Sequence, residues 1–213
     1  MKADVLKSAS CIFILLIMIG CSQENQVKEP ENEGVQLSWF DPTADTSTPV
    51  TVDITEFTKF SLNTRNNRPI QIARGSYVGP LGSDIKFRAI DNSRRVLGTL
   101  DLEGTFFGTI KGRPLCVSTN DSGEAVVAYF LEYVEIPYLN IVENGIVWIK
   151  YKDNGSANNG TSDQVSELVL TFPNWDESFD SPEEVMTVLG CEAVFDFEGF
   201  GSFIDVEGNF KVL

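Results

Sequence analysis

Carboxylates are the most abundant chemistry-bearing side chains in this sequence, and one pair has a spacing that suits catalysis. Asp101 and Glu103 alternate with apolar residues, with the two-residue period of a β-strand. Such residues point to the same strand face, about 7 Å apart, and two carboxylates about 5–9.5 Å apart can hydrolyse a glycosidic bond. Because the chain has 31 Asp and Glu residues, such pairs also arise by coincidence. A carboxylate-dependent glycoside hydrolase is therefore an alternative interpretation.

A polar loop from residue 153 to residue 163 supplies oxygen atoms of the kind that calcium prefers. Asp153, Asn158 and Asp163 are the candidate ligands, since Ca²⁺ takes oxygens from carboxylates, amides and carbonyls. The spacing of the acidic residues differs from that of an EF-hand loop, and no terminal Glu follows. A solvated hairpin connection without a metal cofactor is the favoured interpretation, and a Ca²⁺ site is the alternative.

Three tryptophans, Trp39, Trp148 and Trp175, could together form a platform on which sugar rings stack. Trp175 lies in a polar segment where an exposed ring is expected, whereas Trp148 lies within an apolar strand and belongs in the core. A lone loop tryptophan also commonly packs over a sheet edge. Trp175 is therefore the candidate ligand-binding residue, with packing as its alternative.

The absence of histidine excludes several kinds of catalytic and metal site. Without an imidazole there is no Ser-His-Asp triad, no Cys-His nucleophile pair and no histidine-ligated metal. No catalytic motif is recognisable, and we predict that the protein is not an enzyme. The net charge of −15 argues against binding to nucleic acid or electrostatic docking on anionic lipid.

The first 21 residues have the features of an export signal. Lys2 and Lys7 give a basic start, residues 11–19 form an apolar run, and Gly20 precedes Cys21. This run is too short to span a bilayer as a helix but suits a signal peptide. The ending Met18-Ile19-Gly20-Cys21 resembles the lipobox of bacterial lipoproteins.

The resemblance to bacterial lipoproteins implies that residues 1–20 are a signal peptide and that Cys21 is the lipid attachment site. Diacylglycerol on the cysteine sulfur and an acyl chain such as palmitate on the new amine would anchor the protein in the lipid bilayer. The expected location is the cell envelope, as an outer-membrane lipoprotein facing the periplasm or the surface. An ordinary secretory peptide and an uncleaved membrane anchor are the alternatives.

Residues 21–49 are predicted to be a tether between this anchor and the folded domain. The segment 22–34 is polar and rich in Glu, so it buries too little surface to offset its ordering entropy. Its polar residues also look like the surface-export signals of lipoproteins in some Gram-negative groups, which implies outward display. The Thr-rich stretch 43–51 either extends this loose region or forms an irregular edge of the domain.

Residues 50–213 are predicted to form one all-β domain. Alternation of apolar and polar residues recurs in three segments, at residues 100–110, 166–172 and 193–197. Continuous apolar runs at 126–131 and 146–149 fit strands that are covered on both faces. Turn-forming Asn, Asp and Gly residues separate the segments. The pattern predicts an antiparallel sandwich or barrel of about eight to eleven strands.

One short helix and one disulfide are predicted within this domain. Ser181 suits an N-cap and Pro182 the first helical position, so a helix is expected near residues 182–189. After removal of Cys11 and lipidation of Cys21, two cysteines remain. An even pair in an exported domain predicts a disulfide between Cys116 and Cys191. Two buried thiols on separate strands are the alternative.

The stretch from Leu115 to Thr171 resembles a pattern in uncharacterised exported bacterial β-proteins. The shared features are a cysteine that opens a strand, a polar turn, two apolar strands, and an Asp153-Asn154-Gly155 turn followed by Asp163. In this chain Asp121-Ser122-Gly123 replaces the Gly-Asn usual in that group. The resemblance implies an all-β fold and brings no known activity.

Together these features predict a membrane-anchored lipoprotein with a non-catalytic binding or structural role. The alternative binding role is that of an extracellular glycan- or calcium-binding module. The partner, whether a glycan or a protein, is not specified by the sequence.

Overall fold

The computed structural model confirms the all-β class predicted from the sequence. It describes residues 34–52, 70–79, 82–105, 107–138, 140–155, 161–197 and 199–213. The strands are β1 (Val35–Asp41), β2 (Thr46–Val52), β3 (Gln71–Val78), β4 (Asp84–Asp91), β5 (Val96–Gly104), β6 (Gly108–Thr119), β7 (Glu124–Val134), β8 (Ile146–Lys152), β9 (Asp163–Ser166), β10 (Val169–Phe172) and β11 (Phe203–Val212). The predicted strand number of eight to eleven includes this count.

Eight of the strands close into an antiparallel barrel. The hydrogen-bonded order around it is β3, β4, β5, β6, β7, β8, β9 and β11, and β11 pairs with β3 to complete the ring. Of the two architectures that the sequence left open, the protein has the barrel. Closure pairs the strand edges that an open sheet would expose.

Strand β8 divides one of its edges between two partners. Its first half pairs with β10 through Ile146, Val147 and Trp148, and its end pairs with β9 through Tyr151 and Lys152. From this point β10, β1 and β2 continue as an extension of the sheet outside the barrel. Because the two pairings leave a gap in the ladder, the wall of the barrel is split beside the middle of β8.

Strands β7 and β8 are buried on both faces, as their continuous apolar sequences predict. Val127, Tyr129 and Val147 point into the barrel, whereas Val126 and Trp148 belong to a second core on its outer side. We call this second core the outer layer. It is covered by a helix and by the turns that follow it, with residues Val185, Leu189, Val194 and Phe200.

The helix, α1 (Pro182–Val188), begins as predicted from its capping residues. The Ser181 side chain accepts a hydrogen bond from the Glu184 N–H at 3.1 Å, and the Glu184 carboxylate accepts one from the Asp180 N–H at 2.8 Å. The first bond satisfies an N–H group that the helix start leaves unpaired, and the second ties the Glu184 side chain to the residue before the N-cap. In the parts of the chain that the structure describes, no helix is long and apolar enough to cross a membrane.

The folded domain begins at least fifteen residues before the predicted boundary at residue 50, so the tether assignment of 21–49 was wrong for its second half. Residues 35–41 form β1, in which Val35, Leu37 and Phe40 are buried. Residues 46–52 form β2, which pairs with β1 along its whole length. The polar composition of β2 reflects its place as the edge strand, where Pro49 is also tolerated. Residues 1–33, including Cys21, lie outside the described residues.

None of the three alternating segments is the single strand that its pattern predicted. The segment 166–172 contains the end of β9 at Ser166 and then β10 from Val169. The segment 100–110 is a hairpin, in which β5 ends at Gly104 and β6 begins at Gly108, a glycine with a positive φ of 62°. The segment from residue 191 to 196 forms consecutive turns, with a bond from the Val194 N–H to the Gly190 carbonyl. Phe195 and Phe197 pack on the outer layer from these turns, which local hydrogen bonds stabilise without a strand partner.

Candidate functional site

An apolar cavity with a volume of about 90 Å³ lies inside the barrel. Its lining combines aliphatic and aromatic side chains from several barrel strands with residues of β1 and β10 next to the split. The apolar lining consists of Phe40, Pro42, Tyr77, Ile85, Leu100, Leu102, Phe107, Ile110, Leu131, Ile141, Val147, Ile149, Val165, Val169 and Ile204. Among the residues that the structure describes, no charged side chain lines this space.

A cluster of four aromatic rings fills the barrel on one side of the cavity. Phe87 and Tyr151 are stacked with their centroids 4.0 Å apart, and Tyr77 and Phe210 contact both rings edge-on. Tyr77 also lines the cavity. Stacked and edge-on ring pairs are the favoured aromatic geometries and stabilise packing beyond the area they bury, so this cluster stabilises the wall of the cavity.

The buried tyrosines remain neutral and add no charge to the barrel interior. Burial raises the pKa of Tyr77, Tyr129 and Tyr151 above the usual value for a phenol. The hydroxyl groups of Tyr129 and Tyr151 also form a hydrogen bond of 3.4 Å with each other. A cavity lining without charged side chains among the described residues favours an uncharged occupant, because a buried charge without a partner costs several kcal/mol or more.

Ser83 is the polar residue of the cavity whose hydroxyl group is left without a partner by the residues that the structure describes. Its exposure is 1%, and its carbonyl accepts a hydrogen bond from the Gly79 N–H at 2.7 Å in the turn between β3 and β4. Gly104 of β5 packs directly against it, since a Cβ at that position would overlap the Ser83 Oγ. The glycine therefore permits the burial of this hydroxyl group.

Ser166 is the other serine of the cavity lining, and it bridges the split in the barrel wall. Its Oγ accepts a hydrogen bond from the Lys150 N–H at 3.2 Å, at the point where β8 changes partners. A second cavity of about 290 Å³ lies on the other side of Ser166, lined by Lys150 and several phenylalanines. Ser166 is thus shared by the two cavities.

The Lys150 ammonium group in the second cavity is held by other groups of the protein. It donates to the Phe195 carbonyl at 3.3 Å, lies 3.6 Å from the Glu124 carboxylate, and lies 4.8 Å from the centre of the Phe195 ring. Lys152 contacts the same carboxylate at 3.5 Å. Through these contacts Lys150 helps to hold the turns after α1, which contain Phe195, against β8.

The carboxylates of the predicted calcium loop are bonded to the backbone. Asp153 accepts from the N–H groups of Gly155 and Val212, and Asp163 accepts from those of Asn154 and Phe210. The bonds to Val212 and Phe210 fix this hairpin to β11. Within the described ranges no group of three or more acidic or cysteine side chains could hold a metal ion.

The third candidate calcium ligand, Asn158, lies outside the described residues. The hydrogen bonds of Asp153 and Asp163 explain both aspartates structurally, because each pins the hairpin to backbone N–H groups. A Ca²⁺ site at this loop stays a prediction.

The three tryptophans do not form a common platform. Trp148 and Trp39 are 0% and 8% exposed and belong to the outer layer. Trp175 is partly buried, its indole N–H donates to the Asn144 carbonyl at 2.6 Å, and its ring contacts Phe130 edge-on. Trp175 alone stays a candidate for ligand contact, and its packing on the sheet is established.

Asp101 and Glu103 lie on the outer face of β5, on the same side of the strand, as their spacing predicts. Asp101 is in register with Lys86 on β4 and with Lys111 on β6. Opposite charges on neighbouring strands stabilise a sheet. This position gives Asp101 a structural explanation that does not require catalysis.

The predicted disulfide is present. Cys116 on β6 is bonded to Cys191 after α1, with 5.7 Å between the Cα atoms. The bond links the segment after α1, which covers the outer layer, to β6 of the barrel.

The cavity was not predicted from the sequence; of the residues that line it, Leu100, Leu102 and Ile110 lie in the segment 100–110, where the alternation placed them on one face. Ser83 carries no sequence signal of its own, since a serine between Gly82 and Asp84 is typical of a turn. Comparisons with family models, with curated proteins and with solved structures gave no match for this chain.

Proposed function

We propose that the barrel is a non-catalytic binding domain that holds a small apolar molecule in its interior. The observation that carries this proposal is the apolar cavity of about 90 Å³. A barrel of eight strands is wide enough either to be filled by its own side chains or to hold one small ligand. Protein interiors normally contain few voids larger than a water molecule, so a cavity of this size inside the barrel supports the second option.

The chemistry of the lining indicates an uncharged ligand. An apolar cavity of roughly 150 Å³ lined by Leu, Ile and Phe stays dry and takes up benzene or xenon, and the residues lining this cavity are of the same types. A carboxylate or ammonium group would lose its hydration here without gaining a charged partner. The net charge of −15 adds a long-range repulsion of anions.

The proposal predicts that filling the cavity abolishes the binding of small aromatic hydrocarbons. Leu102 on β5 lines the cavity, and in Leu102→Trp the larger side chain should lower the affinity for benzene and toluene by about tenfold or more. Affinities are measured by titration calorimetry or by ligand-induced chemical-shift changes. Leu97→Trp is the matched control, because Leu97 lies on the same strand and is 42% exposed.

Two results would contradict the proposal that the cavity binds a ligand. If neither hydrocarbon binds the wild-type protein, the cavity is not a ligand site. Equal affinities in wild-type protein and in folded Leu102→Trp would place the binding outside the barrel. Ile204→Phe narrows the same cavity from β11 and serves as the second variant if Leu102→Trp fails to fold.

We also propose that Cys21 carries a lipid anchor that places this binding domain at the outer membrane. The proposal is supported by the basic start, the apolar run and the Met18-Ile19-Gly20-Cys21 ending. Mass spectrometry of the protein extracted from membranes should give the mass of residues 21–213 plus a multi-acyl lipid. In Cys21→Ser the lipid mass should disappear. A lipid-free wild-type mass, or one that retains residues 1–20, would contradict the anchor.

A further inference from the structure

We propose that the natural ligand of the barrel carries one neutral hydrogen-bonding group, a hydroxyl or a carbonyl, that pairs with the Ser83 hydroxyl group. This inference rests on the proposed function, because it specifies the ligand of the same cavity. It is carried by a buried polar atom in a lining that is otherwise almost entirely apolar.

The Ser83 hydroxyl group is destabilising when it has no partner. Its exposure is 1%, and the described residues offer its Oγ no hydrogen bond. A hydroxyl group that is removed from water without a new partner costs free energy, whereas an alanine at the same place would not. Local structure does not require the serine side chain, since the turn is closed by the backbone bond between Gly79 and Ser83. A ligand with a polar atom that pairs with this hydroxyl group would remove that cost, and ligand pockets use a few placed polar groups in this way.

The packing around Ser83 keeps the hydroxyl group buried at the cavity. Gly104 leaves room for the Oγ where any larger residue would overlap it. The other serine of the lining, Ser166, already accepts the Lys150 N–H and is engaged in the barrel wall. Ser83 is therefore the serine of the lining whose Oγ has no partner among the described residues, and it can distinguish a ligand with a polar atom from a pure hydrocarbon.

The ligand class follows from the hydrogen-bonding capacity of a serine and from the absence of charge in the described lining. A hydroxyl group both donates and accepts, so alcohols, phenols, aldehydes and ketones are all suitable. A carboxylate or an amine would be ionised at neutral pH and is disfavoured in this lining. The natural ligand is thus a small neutral molecule with an apolar body and one polar atom.

The test compares matched ligand pairs in the full-length protein and in Ser83→Ala. Benzene is paired with phenol, and toluene with benzyl alcohol, and the ratio of the two dissociation constants is measured by calorimetry for each protein. The dissociation constant of the apolar ligand divided by that of its polar partner should fall by about fivefold to tenfold in Ser83→Ala. This change corresponds to the loss of one neutral hydrogen bond. Comparing ratios cancels the different solubilities of the two ligands.

The control variant is Ser118→Ala, which removes the hydroxyl group of a buried serine on β6 outside the cavity lining and should leave the ratio unchanged. If benzene and toluene bind but Ser83→Ala has the wild-type ratio, this inference is wrong and the proposed function stands. That same outcome is expected if a bound water molecule satisfies Ser83. If no ligand of either pair binds the wild-type protein, the proposed function fails first. Ser83→Cys keeps a weak donor of similar size, should give an intermediate ratio, and replaces Ser83→Ala if that variant does not fold.

Discussion

Removal of the disulfide in the double variant Cys116→Ala/Cys191→Ala is expected to lower the free energy of unfolding by about 2–4.5 kcal/mol. The bonded cysteines are 75 residues apart in the chain. A cross-link over a loop of this length removes much of the conformational freedom of the unfolded chain, and the chain-entropy model gives the upper figure of about 4.5 kcal/mol.

The native state should also lose part of its outer layer. Cys191 is buried, and the turns that follow it carry Val194 and Phe200 onto Trp39 and the neighbouring strands. Without the bond to Cys116, only noncovalent contacts hold this segment on β6. We therefore expect its amide groups to exchange with solvent faster than those of the barrel strands.

Urea denaturation of the oxidised wild type and of the double variant measures the difference. Reduction of the wild type should shift its midpoint toward that of the variant, while the variant itself should not respond to the reductant. A wild-type midpoint that reduction leaves in place would show that the bond does not contribute to stability.

The parts of this fold that depend on local pattern were predictable from the sequence. The apolar runs at 126–131 and 146–149 indicated two-sided burial, and they became the strands shared by the barrel and the outer layer. Ser181 and Pro182 indicated the start of α1, because helix capping depends on the nearest few residues. The disulfide was predicted by elimination among four cysteines.

The parts that depend on distant pairing were not predictable. Strand β11 closes the barrel by pairing with β3, more than 100 residues earlier in the chain, and nothing in either sequence specifies that partner. Strand β1 was missed because a seven-residue alternation is obscured by polar neighbours on both sides. Its burial depends on β10, which comes much later in the chain.

The candidate site is harder to predict than the fold because a cavity is space that side chains fail to fill. Leu100 and Leu102 have the same pattern whether they pack against a neighbour or line a void. Ser83 became informative only when its burial and its position against Gly104 were known. By contrast, Asp153 and Asp163 looked like metal ligands, and the structure uses their oxygens to hold β11.

Replacement of Trp148 by alanine is expected to lower the free energy of unfolding by about 3–5 kcal/mol. Trp148 is fully buried in the outer layer, and its indole N–H donates to the Leu189 carbonyl at 3.2 Å, at the end of α1. The substitution removes a large packed ring and leaves a buried carbonyl with one hydrogen bond fewer, and both effects destabilise the native state. Trp175→Ala is the matched control, since Trp175 is only partly buried and should cost less. Urea denaturation followed by circular dichroism measures both variants.

Because Trp148 lies in the outer layer, its replacement should change the free energy of unfolding without changing ligand binding in the barrel cavity. Its ring lies outside the barrel, while Val147, the preceding residue, points into the cavity. Under conditions where Trp148→Ala is fully folded, its affinity for benzene should therefore remain close to that of the wild type. Leu102→Trp should show the opposite behaviour, with lost affinity in a folded protein. If folded Trp148→Ala loses benzene binding, the two cores are coupled through β8 and the cavity does not act as an independent site.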